Sequence, residues 1–257
     1  MTAPLIAGSA ELQVSLDAGV MCLTLQRPDK GNALSASLVT ALTQALEAAP
    51  ALQVRLLVLR GAGRHFCTGF DLSGLDQESD DSLLARFTRV ELLLQMLHAA
   101  PFTTVAIAHG RTMGAGADLF GACAERWAVG PASFAFPGAA FGLVLGTARL
   151  ADTVGAVQAR DWIEGGMVFD QGRALETGFA TRLLEAQALD AELPSLIERS
   201  HRLERETQQA IHQAIDSARR RRGDAGDAQD LARLVRSAAR PGLRERIAAY
   251  RAAQKGA

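Results

Sequence analysis

Short apolar segments alternate with longer amphipathic ones through the first half of the chain, and this alternation limits the possible folds more than any other feature. Residues 12–25 have the pattern of two short strands, and residues 54–59 (VRLLVL) and 104–108 (TVAIA) have that of buried strands. Residues 35–46 and 83–97 repeat apolar side chains at steps of three and four, which predicts a helix in each. Strands and helices in this order, with short connections, predict right-handed crossovers and a mainly parallel sheet.

The character of the sequence changes near residue 188. The segment 190–222 is charged and helical in pattern, and it ends in the run Arg219 to Arg222, which we interpret as a solvated face. A break at residues 223–226 and two further helical stretches follow. We therefore predict an α/β core over residues 1–188 and a helical region over residues 189–257 that packs on this core or on another subunit.

Composition and charge argue against several classes of function. The chain has 257 residues with 27 basic and 28 acidic side chains, so its net charge of −1 gives no general attraction to nucleic acid or to an anionic membrane surface. Aromatic residues make up only 5%, too few for a surface on which bases stack. No apolar run approaches the roughly 20 residues of a membrane span.

The three cysteines, Cys22, Cys67 and Cys123, are far apart and odd in number. They fit neither a disulfide framework nor a zinc-ligand spacing. The first residues also lack the charged region of a secretory signal. We expect reduced thiols and a cytoplasmic location, no bound metal, and small buried side chains at Cys67 and Cys123.

Two glycine-rich loops, residues 61–72 and 109–119, each follow a predicted core strand. Small residues let backbone N–H groups approach a ligand, and a helix that starts there adds its positive end. Such a loop suits an oxyanion or a phosphate. Neither loop is a nucleotide motif, because residues 61–64 (GAGR) lack the third glycine of G-x-G-x-x-G and residues 113–118 (MGAGAD) lack the Lys-Ser/Thr of a P-loop.

Four segments, in order and with the family's spacing, resemble the crotonase (enoyl-CoA hydratase/isomerase) superfamily. They are RPDKGNALS at 27–35, LRGAGRHFCTGFDLSGL at 59–75, PFTTVAIAHGRTMGAGADLFGAC at 101–123, and ASFAFPGAAFGLVLGTARLADTVG at 132–155 followed by ALETGFATRLLE at 174–185. The resemblance extends over roughly residues 10–250. It implies a crotonase-like α/β core of repeated ββα units, a helical C-terminal region that trimerises, and a homotrimer or a hexamer made of two trimers.

The resemblance also implies acyl-CoA thioester substrates. In this family two backbone N–H groups bind the thioester carbonyl oxygen and stabilise the enolate, and by position they belong here to Phe70 and Ala115. Ala115 stands where the family has glycine, so its φ must accommodate a Cβ. No cofactor is implied beyond the coenzyme A of the substrate. The implied substrate and coenzyme A contacts are Lys30, Ala33, Thr68, Asp71, Leu72, Gly114 and Gly138.

The acid–base residues are where this sequence departs from the family. Hydratases of the family use two glutamates; the first matches Asp118, and the second falls on Gly138. An aspartate that other members carry falls on Gly146. Asp118 is therefore the one matched acid or base, with a pKa that burial would raise. The alternative is that Asp118 only caps or hydrogen-bonds the glycine loop at its helix start.

The remaining polar residues of the two loops have mostly structural interpretations. We expect His109 to stabilise a loop by a hydrogen bond, His65 to lie at the surface, and Asp71 to hold the loop backbone. Arg64, like Lys30, would either meet coenzyme A phosphates or be a solvated charge. Arg111 would either line the pocket or bridge subunits.

The predicted function is that of an enoyl-CoA hydratase/isomerase-type enzyme that stabilises a thioester enolate. Two alternatives stay open. One is a hydrolase of a CoA thioester or of a carbon–carbon bond that uses the same oxyanion hole. The other is a degenerate member that binds CoA esters, or only builds an oligomer, because Gly138 replaces the second glutamate.

Overall fold

A computed structural model of the chain describes residues 8–222 and 226–256. The strands are β1 (Leu12–Asp17), β2 (Val20–Leu25), β3 (Leu56–Gly61), β4 (Thr103–Met113), β5 (Glu125–Ala135), β6 (Phe169–Asp170) and β7 (Arg182–Leu184). The helices are α1 (Ala36–Ala48), α2 (Asp80–His98), α3 (Ala115–Gly121), α4 (Thr147–Val154), α5 (Ala156–Glu164), α6 (Gln171–Glu176), α7 (Leu189–His201), α8 (Arg205–Arg222), α9 (Gly226–Ala238) and α10 (Leu243–Gly256).

The strands form one sheet in the order β1-β2-β3-β4-β5-β6, with β7 also paired to β5. The hairpin β1–β2 and the short pair β5–β6 are antiparallel. The other pairs, β2–β3, β3–β4, β4–β5 and β5–β7, are parallel. The predicted mainly parallel sheet is confirmed, and the carboxyl ends of β3 and β4 lead into the two glycine-rich loops.

Strands β4 and β5 are long because each continues through a bend. Their register shifts between Ala108 and Gly110, so each contributes two strand segments, and β4 extends to Met113 beyond the predicted end at Ala108. Gly110 allows the bend, since its φ is +58° and a Cβ there would overlap the Arg64 carbonyl oxygen. The second half of β4 thereby carries residues 111–113 to the loop that follows β3.

The two predicted helices have the expected caps and buried faces. The Ser35 hydroxyl accepts a hydrogen bond from the Leu38 N–H at 3.0 Å and starts α1. Ser79 and Ser82 form a capping box at the start of α2. The apolar faces predicted from the periodicity are buried: Leu38, Leu42 and Leu46 in α1, and Leu83, Phe87, Val90, Leu94 and Leu97 in α2.

The helical region after residue 188 packs on the core of the same chain. Leu196 of α7 lies in an apolar cluster with Val58 and Trp127 of the sheet. Helices α9 and α10 pack against α2. The break predicted at 223–226 falls largely outside the described residues, as do the side chains of the predicted solvated run Arg219 to Arg222. None of the described helices combines the length and the apolar character that a membrane span requires.

Candidate active site

The two glycine-rich loops lie side by side. The Met113 N–H donates to the Cys67 carbonyl at 3.0 Å, and Cys67 and Thr112 pair as an isolated parallel bridge. Gly69 has a φ of +100°, and a Cβ there would stand 2.7 Å from the Met113 carbonyl oxygen. A Cβ on Gly116 would overlap the Cys67 carbonyl oxygen. Glycine is therefore required at these positions because the two backbones touch.

Two backbone N–H groups are left unbonded where the loops meet. Among the hydrogen bonds of the described residues, none has the N–H of Phe70 or of Ala115 as donor. Ala115 is the first residue of α3, where the N–H has no partner within the helix. Its φ is not positive, so its Cβ is accommodated as expected.

The Phe70 side chain anchors its loop to α2. Its ring stacks on Phe87 with centroids 4.0 Å apart, and the Arg86 guanidinium lies 4.3 Å from the ring centroid. Arg86 also donates to the Asp71 carbonyl at 3.0 Å. The aromatic residue thus fixes the position of the Phe70 N–H through packing.

A cavity of about 390 Å³ opens beside these N–H groups. Most of its lining is apolar, and the 3₁₀ turn Pro137–Phe141 forms one continuous part of it. The polar side chains that line it are Thr68, Arg111, Asp118, Thr147, Tyr250 and Gln254. Of the carboxyl groups in the described residues, only that of Asp118 lines this cavity together with Phe70 and Ala115.

Asp118 lies on α3 and is only 8% exposed. Burial raises the pKa of its carboxyl to about 8; the Arg149 guanidinium opposes this rise, and the Glu91 carboxylate adds to it. The hydrogen bonds of the described residues include none to the Asp118 carboxyl, although its backbone N–H bonds to the Gly114 carbonyl at 3.0 Å. The side chain therefore makes no loop-capping hydrogen bond within that part of the chain, and it faces the cavity.

Gly146 makes room for Asp118. Gly146 precedes α4 with a φ of +64°, and a Cβ there would overlap the Asp118 Oδ1. A side chain at position 146 and the observed Asp118 conformation exclude one another. Position 146 therefore cannot carry a carboxylate while Asp118 keeps this conformation.

Gly146→Ala should destabilise the protein more than an alanine placed in an equivalent backbone conformation elsewhere. The left-handed conformation costs roughly 1–2 kcal/mol, and overpacking against Asp118 typically adds about 1–3 kcal/mol. Gly74→Ala is the matched control, because Gly74 has a φ of +70° with nothing within 4 Å. Urea unfolding measures the loss of unfolding free energy in both variants. Adding Asp118→Ala to Gly146→Ala should remove the extra loss that Gly146→Ala shows over Gly74→Ala. Equal costs for the two alanines would contradict the proposed contact.

Gly138 is different, because nothing requires glycine there. A Cβ at Gly138 would meet only the Leu143 Cβ, at 3.9 Å. Gly138 lines the cavity, so the absent side chain leaves space that a substrate can use. No steric contact in the described residues therefore requires glycine at position 138.

A buried ion pair lies next to Asp118. Arg149 of α4 donates two hydrogen bonds to Glu91 of α2, at 2.8 and 2.6 Å, with side-chain exposures of 8% and 1%. Asp230 of α9 lies 3.9 Å from Arg149. Gln95 joins the group by donating to Glu91 at 2.8 Å. These charges set the electrostatic field at Asp118 and tie α2, α4 and α9 together.

Three of the predicted contact residues lie outside the cavity lining. Lys30 is exposed, and its backbone carbonyl lies 3.5 Å from the hydroxyl of Thr68. Ala33 is buried, and its carbonyl accepts from Arg27. Asp71 accepts from the Ser73 N–H and from Arg27, both at 2.8 Å. Burial opposes ionisation of Asp71, but these hydrogen bonds outweigh it and lower the carboxyl pKa, as expected of a residue that holds the loop.

The other predicted contacts, Thr68, Leu72, Gly114 and Gly138, line the cavity with Asp118. Arg64, His65 and His109 instead line a separate cavity of about 750 Å³, and Arg111 lines both. His109 bonds to the Gly63 carbonyl at 2.9 Å, in agreement with its predicted loop role. His65 is half-buried, and its Nδ1 accepts from the Arg111 N–H at 3.1 Å. The larger cavity holds neither the carboxyl nor the paired N–H groups, so the smaller one is the candidate active site.

Sequence reasoning missed Tyr250, Arg149 and Glu91. Tyr250 reaches the cavity from α10, and Arg149 and Glu91 meet although 58 residues separate them. The only signal for Tyr250 in the sequence is that it is the single tyrosine of the chain.

Comparisons with known proteins agree with this fold. A family model described as enoyl-CoA hydratase/isomerase matches residues 15–252. "Probable enoyl-CoA hydratase echA6" of Mycobacterium tuberculosis is 36% identical over 184 residues, which cover 69% of this chain and 73% of that protein. A crystal structure assigned to the enoyl-CoA hydratase/isomerase family, from Bordetella parapertussis, has a TM-score of 0.89 at 41% identity and covers 94% of this chain and 98% of its own.

An enoyl-CoA hydratase structure from Bacillus halodurans, with a TM-score of 0.82 at 21% identity, covers 93% of this chain and 99% of its own and shows the shared fold. The chain therefore belongs to the enoyl-CoA hydratase/isomerase family and has the crotonase fold.

Proposed function

We propose that this protein is an acyl-CoA thioester-binding enzyme that stabilises a thioester enolate in a backbone oxyanion hole. The carbonyl oxygen accepts hydrogen bonds from the N–H groups of Phe70 and Ala115, and Asp118 transfers the proton at the neighbouring carbon. The observation that carries this proposal is that these three groups line one cavity. Fixed donors in a site shielded from water are worth about 3–4 kcal/mol each to such a transition state.

The lining of the cavity supports an apolar acyl group. Phe87, Phe136 and Leu145 are among its aromatic and aliphatic residues, and Gly138 leaves added space. Thr68, Leu72 and Gly114 are proposed to contact the thioester and pantetheine. Lys30, exposed beside Thr68, is proposed to meet a coenzyme A phosphate. Coenzyme A enters as part of the substrate, and no further cofactor is proposed.

A second candidate function is acyl-CoA binding without turnover. The observation in its favour is that Gly138 leaves Asp118 as the one carboxyl lining this cavity within the described residues. A third, hydrolysis, uses the same oxyanion hole with a water activated by Asp118. The homotrimer or hexamer, the trimerising role of residues 189–257 and the cytoplasmic location stay predictions.

A panel of 2-enoyl- and 3-enoyl-CoA esters tests these functions. We expect a change in enoyl-thioester absorbance without release of free thiol, as hydration or isomerisation requires. Release of thiol would support hydrolysis instead. If neither the enoyl-thioester absorbance nor the free thiol changes while calorimetry detects acyl-CoA binding, enzymatic turnover would be contradicted and the binding function supported. The matched control is an ester reduced to the thioether, which offers no carbonyl oxygen to the two N–H groups.

A further inference from the structure

Tyr250 brings a hydroxyl to the candidate active site from the C-terminal helix. It is the single tyrosine of the chain and lines the same cavity as Asp118, Ala115 and Gly138. Its ring is half-buried and tilted against Phe141, with centroids 5.2 Å apart. Tyr250 is thus a lining residue that combines an apolar ring with one hydroxyl group.

Helix α10, which carries Tyr250, is fixed at its beginning. Leu243 and Ile247 are fully buried in an apolar cluster with α2 and α9. Asp80 of α2 accepts hydrogen bonds from the N–H groups of Gly242, Leu243 and Arg244, at 2.8 to 3.1 Å. These contacts set the position of the helix axis before it reaches the cavity.

The same helix is also tied directly to the walls of the cavity. Arg246 donates to the Phe141 carbonyl at 3.0 Å, and Arg251 donates to the Leu72 carbonyl at 2.9 Å. Tyr250 lies between these two arginines in sequence, and its ring packs against Phe141 of the 3₁₀ turn. A side chain held in this way keeps a reproducible position relative to the N–H groups.

A positively charged side chain, that of Arg111, lines the cavity together with Tyr250. Arg111 of β4 lines the same cavity and takes part in no ion pair among the described residues. Burial raises the pKa of the Tyr250 hydroxyl, and the Arg111 guanidinium opposes that rise by favouring the phenolate. Arg111 and Asp118 are the charged side chains of the described residues that line this cavity with Tyr250.

We propose that Tyr250 is the second proton-transfer residue of this site, in the part that Gly138 leaves without a carboxyl group. The inference rests on the proposed function and makes it specific for isomerisation. Asp118 takes the proton from C2 of a 3-enoyl thioester, and the electron pair of that C–H bond enters the enolate. The Tyr250 O–H bond then breaks as its proton passes to C4, so the double bond moves from C3=C4 to C2=C3. The Tyr250 phenolate then faces Arg111. Asp118 releases its proton to solvent, and Tyr250 takes a proton from solvent, which restores both groups.

Tyr250→Phe tests the proposal, since it keeps the ring on Phe141 and removes only the hydroxyl. We expect kcat for a 3-enoyl-CoA ester to fall by about 100-fold or more, with KM and binding of a saturated acyl-CoA nearly unchanged. Glu245→Gln is the control on the same helix, because Glu245 is exposed and outside the cavity lining. Circular dichroism checks that both variants fold.

A spectroscopic titration adds a measurement that does not depend on turnover. Because the chain has one tyrosine, the tyrosinate absorbance reports Tyr250 alone. Its midpoint should lie above that of free tyrosine, rise further in Arg111→Gln, and shift when a saturated acyl-CoA binds. Wild-type-like kcat in Tyr250→Phe, with an inactive Asp118→Asn, would overturn the role of Tyr250 alone. An unreactive wild-type protein would instead overturn the proposed function, and the proton transfer with it.

Discussion

Asp118→Asn is expected to lower kcat by about two orders of magnitude or more while the protein stays folded. The amide has the shape of the protonated carboxyl that burial favours, so packing against Gly146 is kept while the proton-transfer group is lost. Steady-state kinetics on the ester that wild type converts fastest measures the effect. Asp152→Asn, at an exposed position of α4, is the matched control. Unchanged turnover in Asp118→Asn would end the catalytic assignment.

The pH dependence separates the catalytic role from a packing role. If the carboxylate acts as the base, kcat/KM of wild type should rise with pH and level off above about 8, the pKa of Asp118.

Stability should change in the opposite direction. Between 3.8 and about 8 the unfolded chain releases a proton that the folded chain retains, so the wild-type unfolding free energy falls as pH rises. Relative to Asp118→Asn, the loss is at most about 1.4 kcal/mol per pH unit.

Arg149→Met should produce a large loss of stability although Arg149 lies outside the cavity lining. It leaves the buried Glu91 carboxylate without the two hydrogen bonds from Arg149, and breaking such a pair typically costs about 3–5 kcal/mol. Urea unfolding at fixed protein concentration measures the cost. Adding Glu91→Leu should recover much of it, because the uncompensated charge is then gone.

Arg233→Met is the control for Arg149→Met. Arg233 also pairs with Asp230, at 2.7 Å, but its side chain is 41% exposed, so its loss should cost less than about 1 kcal/mol. Equal losses of unfolding free energy in Arg149→Met and Arg233→Met would contradict the claim that burial makes the Arg149–Glu91 pair costly to break. In Arg149→Met the pKa of Asp118 should rise further, since the guanidinium that opposes the rise is missing. The pH profile of kcat/KM should shift upward accordingly.

The larger elements of the fold could be predicted because their signals are local. Leu38, Leu42 and Leu46 share a helix face whatever surrounds them, and the cap at Ser35 is a contact within one turn. The end of β4 was predicted at Ala108 rather than Met113, because the continuation past Gly110 depends on pairing with β5 and on the close Arg64 carbonyl.

The alternation of strands and helices and the two glycine-rich loops could be predicted from the residues, and the resemblance to the crotonase superfamily pointed to Asp118. Each of these is a pattern of neighbouring residues. Three contacts could be seen only in the folded chain: Gly146 accommodates Asp118, Arg149 and Glu91 pair beside it, and Tyr250 reaches the same cavity. These contacts join residues far apart in the chain, and no local periodicity or spacing encodes such a distance. They arise only when the packing of α2, α4 and α10 brings the side chains together.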